Sequence, residues 1–131
     1  MADTLRTAST SMEITHRDIA PGTVVVSISG KVMWGDESER IVALVQDLLR
    51  DGGRTIIFDI AGVSRIDSTG IGRFISCYRD ITAAGGEMRI AGAAGYLFQA
   101  FHICRLDTVF RFFPDLDEAL KASQRGGAGA E

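Results

Sequence analysis

The stretch from Thr55 to Gly72, Thr-Ile-Ile-Phe-Asp-Ile-Ala-Gly-Val-Ser-Arg-Ile-Asp-Ser-Thr-Gly-Ile-Gly, constrains the fold more than any other part of the chain. Thr55 to Ile60 is a run of β-branched and aromatic residues broken only by Asp59 and bounded by Gly53 and Gly62. Such a run predicts a largely buried strand that stops near Ile60. After the connection Ala61 to Ile66, apolar residues return at Ile71, Phe74, Ile75, Tyr78 and Ile81, which is helical spacing. A helix therefore starts at Asp67-Ser68-Thr69. Short hydroxyl and carboxylate side chains suit that place, because their oxygens accept from backbone N–H groups that lack a partner inside the helix. Ser68 or Thr69 is the expected cap.

Gly70 and Gly72 fall in the first turn, where each glycine weakens a helix by about 1 kcal/mol relative to alanine. Two offsets stay open: the helix start lies tight against a neighbouring strand, or another protein approaches its backbone. Either way Ser68 is a reachable hydroxyl at the positive end of a helix dipole.

Around this centre the elements alternate. Met12 to Arg17 reads as a strand, and Thr23 to Ser29, Thr-Val-Val-Val-Ser-Ile-Ser, pairs with it as a hairpin across Pro21-Gly22. Gly30 closes the second strand, and Lys31-Val32-Met33-Trp34-Gly35 leads into a helix capped by Asp36, with Glu39 completing a capping box. Ile41, Leu44, Val45, Leu48 and Leu49 form its apolar face, and Asp51-Gly52-Gly53 ends it. Asp36 and Glu37 are either dipole-favoured helix-start acids or functional carboxylates. Trp34, the sole tryptophan, is either local packing or a binding anchor.

Glu87 to Gly92 reads as a short strand, Ala94 to Arg105 as a helix with Leu97, Phe98, Phe101 and Cys104 on one stripe, and Asp107 to Phe113 as a last strand. Pro114-Asp115 opens a final short helix through Leu116, Ala119 and Leu120. The order β, β, α, β, α, β, α, β, α predicts one α/β domain over 12–123, with a mixed sheet that starts from a hairpin and four helices. Residues 1–11 and 124–131 are expected to be flexible tails. The expected core is one cluster of Val24, Val26, Ile28, Leu44, Leu48, Ile56, Phe58, Ile71, Ile75, Ile90 and Leu97.

Composition narrows the chemistry. A chain of 131 residues, 46% hydrophobic, has enough apolar surface for one core without metal or disulfide. Its net charge of −3, with no basic stripe, argues against nucleic acid or an anionic membrane as partner. The chain has neither an apolar run of spanning length nor the apolar core of a secretory signal, so a cytoplasmic protein is expected. Cys77 and Cys104 are expected as free, buried thiols. There is no CxxC or His-Cys grouping to suggest zinc and no glycine-rich phosphate loop to suggest a nucleotide cofactor. His16 falls on an expected edge strand and His102 off the apolar stripe of its helix, so neither is placed as a base.

Asp67-Ser68-Thr69-Gly70-Ile71-Gly72, following a hydrophobic strand and the connection Ala61-Gly62-Val63-Ser64-Arg65-Ile66, resembles the signature of the STAS domains, the sulfate transporter and anti-sigma factor antagonist family. The resemblance runs from about Thr15 to about Ala122. It implies a small α/β domain that binds an anti-sigma factor with serine-kinase activity; a monomer or weak dimer is expected. It also implies that phosphorylation of the serine after the aspartate, here Ser68, releases that partner, and that a metal-dependent serine phosphatase reverses the step. The partner-binding surface implied for this chain comprises Asp67, Ser68, Thr69, Gly70, Ile71 and Gly72, with Met33, Trp34 and Asp36 beside them. One position departs from the family pattern: Met33 stands where an aspartate is common. That leaves a second reading within the same fold, a scaffold or transport accessory subunit that is never phosphorylated. A serine hydrolase is a third reading, and it would need a base beside Ser68.

Overall fold

The structure is a computed structural model that describes residues 11–122. Five strands form one sheet in the order β1-β2-β3-β4-β5. β1 (Met12–Ala20) and β2 (Thr23–Val32) make an antiparallel hairpin, and β3 (Thr55–Ile66), β4 (Glu87–Ala91) and β5 (Arg111–Phe113) follow in parallel. The helices are α1 (Asp36–Arg50), α2 (Ser68–Ala83), α3 (Tyr96–Ile103) and α4 (Leu116–Lys121), with a single 3-10 turn at Leu106–Thr108. This is the mixed sheet with a leading hairpin and four helices that the residue pattern predicts. Of the expected flexible tails, residues 1–10 and 124–131 lie outside the described residues. Ser11 is described, and its carbonyl accepts from the Lys31 N–H at 2.7 Å.

β3 does not stop near Ile60. It continues beside β2 as far as the Val32↔Ile66 pair, with register shifts between Ser27 and Ser29 and between Gly30 and Lys31. At each shift β3 carries one residue more than β2, and an extra residue of this kind breaks the alternation by which a strand is read. The same segment still buries Val63 and Ile66. β5, by contrast, is shorter than expected, because Leu106–Thr108 winds into the 3-10 turn instead of extending.

Alternation along the inner strands separates two cores, where one was expected. Val24, Val26, Ile28, Ile56, Phe58 and Ile90 pack under α1, α2 and α3 with Ile41, Val45, Ile71, Phe74, Leu97 and Phe101. Edge-on aromatic contacts join the layers, Phe58 to Phe74 at 5.2 Å and Phe74 to Phe101 at 5.6 Å between ring centroids. Val25, Ile57 and Ala91 point to the opposite face and meet Ala119 of α4. Leu44 and Ile75 flank their helical stripes and are only half-buried. Cys77 is buried, whereas Cys104 is exposed, against expectation. α3 ends at Ile103, and the chain turns away through Arg105 at φ 63, so the stripe read through Cys104 has already ended.

On the α4 face Arg89 is 4% exposed, and its Nη1 donates to the Ala119 carbonyl at 2.8 Å. Glu87 pairs with Arg89 at 3.2 Å and also with Arg111, joining β4, β5 and α4 at that end of the sheet.

Candidate functional site

The turn from β3 to α2 is held by the carboxylate of Asp67. Its Oδ1 accepts from the Gly70 N–H at 2.8 Å, and its Oδ2 accepts from the Trp34 N–H at 2.9 Å. Asp67 is therefore the helix cap, in place of Ser68 or Thr69. The backbone explains the exchange: Asp67 is still extended, at φ −115 and ψ −175, while Ser68 is already the first helical residue. Partial burial pushes the Asp67 carboxyl up, but bonds from the N–H groups of Gly70, Trp34 and Thr69 outweigh it and hold the group below its ordinary value of 3.8.

Asp67 takes over the capping and leaves the Ser68 hydroxyl spare. Ser68 is exposed, and its hydroxyl has no hydrogen-bond partner among the described residues. Thr69 is half-buried beside it. The two glycines behave differently. A Cβ on Gly70 would lie 2.1 Å from the Val32 carbonyl oxygen and 2.7 Å from the Ile66 side chain, so only glycine lets α2 start this close to β2. A Cβ on Gly72 would meet nothing within 4 Å. Ile71 is a core residue, anchoring the turn from below.

The Val32 to Asp36 segment forms the second wall. Trp34 is 82% exposed, and its backbone rather than its ring is tied to Asp67. Met33 is half-buried, directly after β2. Asp36 is exposed and is the first residue of α1; it does not cap the helix, because the cap position belongs to Gly35 at φ 129, which makes no side-chain bond. Arg73 of α2 reaches across to that helix start as a donor. Its Nε donates to Ser38 Oγ at 2.9 Å and its Nη2 to the Gly35 carbonyl at 3.2 Å. Trp34, Gly35, Asp36, Glu39 and Arg73 line an open cleft of about 340 Å³. Arg73 and Tyr96, the latter bonded by its hydroxyl to the Ile66 backbone, escaped the sequence reading. Arg73 follows the motif by one residue and carries no pattern of its own, and Tyr96 is thirty residues from its partner.

No base is hydrogen-bonded to Ser68 among the described residues. His16 is exposed on the edge strand β1, and the exposed ring of His102 is engaged through Nδ1 with Asp107 at 2.8 Å. Among the described residues, no group of three or more His, Cys, Asp and Glu side chains is placed to hold a metal ion. No helix of the described residues is long and apolar enough to cross a membrane.

The family model of the STAS domain matches residues 15–119, and the chain belongs to that family. Solved structures with the same fold include an anti-sigma factor antagonist from Mycobacterium paratuberculosis, 22% identical, with a TM-score of 0.71 over 84% of this chain and 92% of that one. The Bacillus cell fate determinant SpoIIAA in its phosphorylated form is 20% identical, with a TM-score of 0.65 over 82% and 96% of the two chains. A sulfate transporter family protein from Wolinella succinogenes is 20% identical, with a TM-score of 0.69 over 79% and 86%. A comparison with curated proteins finds no match.

Proposed function

We propose that this chain is an anti-sigma factor antagonist whose partner surface is built on the Asp67 turn and switched by phosphorylation of Ser68. The observation that carries the reading is the division of labour in that turn: Asp67 does the capping, so the neighbouring serine keeps an exposed hydroxyl with no structural task. Family membership and the likeness to antagonists of anti-sigma factors support it. The partner is then an anti-sigma factor with serine-kinase activity, and a serine phosphatase restores the free hydroxyl. The module acts by binding, in the cytoplasm, with no catalysis or cofactor of its own.

Phosphate on Ser68 adds a charge of about −1.5 to −2 and three acceptors at a helix start, where the dipole tolerates it. It also sets that charge beside the ionised Asp67. The folded domain survives, because the hydroxyl it replaces holds nothing in place. A partner packed over Trp34 and the turn would have to bury a dianion without a compensating cation, and it lets go. The natural comparison is between two variants: Ser68→Ala binds normally, and Ser68→Asp binds at least about tenfold more weakly, which is about 1.4 kcal/mol. Equal affinities for the two variants, by titration calorimetry against the anti-sigma factor captured from native cell extract, would overturn the switch.

A second reading rests on Met33. Met33 stands where the family pattern commonly has an aspartate, and the fold is shared with a sulfate transporter family protein. On that reading the same surface docks a partner constitutively, and Ser68 stays unmodified.

A further inference from the structure

β3 loses its neighbour before it reaches the site. Its pairing with β4 ends at Asp59↔Ala91, while on the other side β2 accompanies it to Ile66. The Asp67 N–H points to the Val32 carbonyl on the β2 side, at 3.4 Å, so the N–H and C=O of Ile66 face the side where no strand remains. A single hydroxyl occupies both of them. Tyr96 Oη donates to the Ile66 carbonyl at 2.7 Å and accepts from the Ile66 N–H at 3.3 Å. These are the two bonds a further parallel strand would have made.

The ring that carries this hydroxyl is held by the fold. Gly92 crosses over β3 at Ala61, where a Cβ would lie 2.9 Å from that of Ala61, and the chain then enters α3 through Gly95. Leu97 and Phe101 bury the inner side of α3, with Phe101 against Phe74 of α2. Tyr96 itself is 58% exposed, so its hydroxyl bonds, more than its ring, are what it gives to the structure.

We propose that Tyr96 is a positioning residue for the Ser68 turn, fixing the last backbone unit of β3 and with it the Asp67 cap and the serine that follows. Ile66 is the residue immediately before Asp67, so freedom at Ile66 becomes freedom in where the Asp67 carboxylate and the Ser68 hydroxyl stand. The proposal makes α3 a third support of the site, beside Trp34 and Gly70. Its structural part stands on the hydrogen bonds alone, and its consequence for phosphate transfer rests on the reading given under Proposed function.

Tyr96→Phe keeps the ring and removes only the hydroxyl. Amide hydrogen exchange followed by NMR should speed up at Ile66 and Gly70 by about fivefold more than in β1, α1 and α4, where the loss of one net hydrogen bond shows only as a small, uniform fall in protection and a melting temperature lower by a few degrees. Unchanged exchange at Ile66 and Gly70 overturns the proposal. So does exchange that speeds up equally over the whole sheet with no excess at Ile66 and Gly70, since that is a general stabilising role. Incubation with ATP and native cell extract, with Ser68 phosphate read by mass spectrometry, then separates the two readings. Slower labelling of Tyr96→Phe than of the parent, on top of the local exchange change, supports both. A parent protein that takes no phosphate sinks the switch and leaves the exchange result to decide the role of Tyr96, and equal labelling of the two proteins overturns its consequence for Ser68.

Discussion

Asp67 and Glu87 are both carboxylates held below their ordinary values, by opposite means and to opposite ends. Glu87 lies on β4 between two guanidiniums, those of Arg89 and Arg111, in a cluster that joins two strands to α4. Burial raises its carboxyl, and the bonds and charges of the two arginines outweigh that. Among the described residues no cation pairs with Asp67 and the hydroxyl beside it has no partner; backbone N–H groups hold the carboxylate. The first arrangement uses every group for packing. The second leaves one over, and that remainder rather than the shifted acidity is what the proposed function rests on.

The largest effect that sharpens this contrast comes from the Glu87 cluster. Arg89→Met removes a cation buried under α4, strands the Ala119 carbonyl and takes one guanidinium from Glu87, and should destabilise the domain by about 3 kcal/mol in urea unfolding. Binding at the Asp67 turn should be unchanged in the fraction that stays folded. Gly70→Ala comes next. A methyl group 2.1 Å from a backbone oxygen forces α2 away from β2, with an expected loss of about 2 kcal/mol and of partner binding together.

Acid should weaken both sites in the same direction. Each carboxyl titrates lower in the folded chain than in the unfolded one, so its stabilisation is complete above the ordinary values of 4.5 for Glu87 and 3.8 for Asp67 and is lost as pH falls through the folded values. Unfolding free energies measured at neutral pH and at about pH 3 should therefore differ less in Glu87→Gln and in Asp67→Asn than in the parent protein. A parent-like acid sensitivity in either variant removes that carboxylate from the account. Smallest in stability, and opposite in sign, is Gly72→Ala. The added methyl group meets nothing, so the helix should gain up to about 1 kcal/mol by thermal melting while partner binding falls, if the partner approaches the backbone there.

The two sites were unequally legible in the sequence. The β-branched run at Thr55–Ile60 and the helical spacing from Ile71 announced the centre of the fold, because burial on one face or both leaves a period in the chain. Asp67-Ser68-Thr69-Gly70 announced a helix start. Which of its oxygens would cap depended on the backbone angle of Asp67 and on the Trp34 N–H, thirty-three residues away. The Glu87 cluster left no trace: Arg89 looks like a solvent-facing strand residue until α4, some thirty residues later, closes over it. Tyr96 was hidden for the same reason. The extension of β3 to Ile66 was masked by its two register shifts, which scramble the alternation by which strands are recognised.

The central claim is that Ser68 is a phosphoacceptor because Asp67 has freed it. Cleavage after arginine gives the peptide Ile66–Arg73, which carries Ser68 and Thr69 side by side, so fragmentation must place the phosphate on one or the other. Mass spectrometry of this peptide from protein incubated with ATP and native cell extract should find phosphate on Ser68, and should find it still when Thr69 is replaced by alanine. Phosphate on Thr69 with Ser68 unmodified, or a peptide that stays unmodified throughout, would contradict the claim.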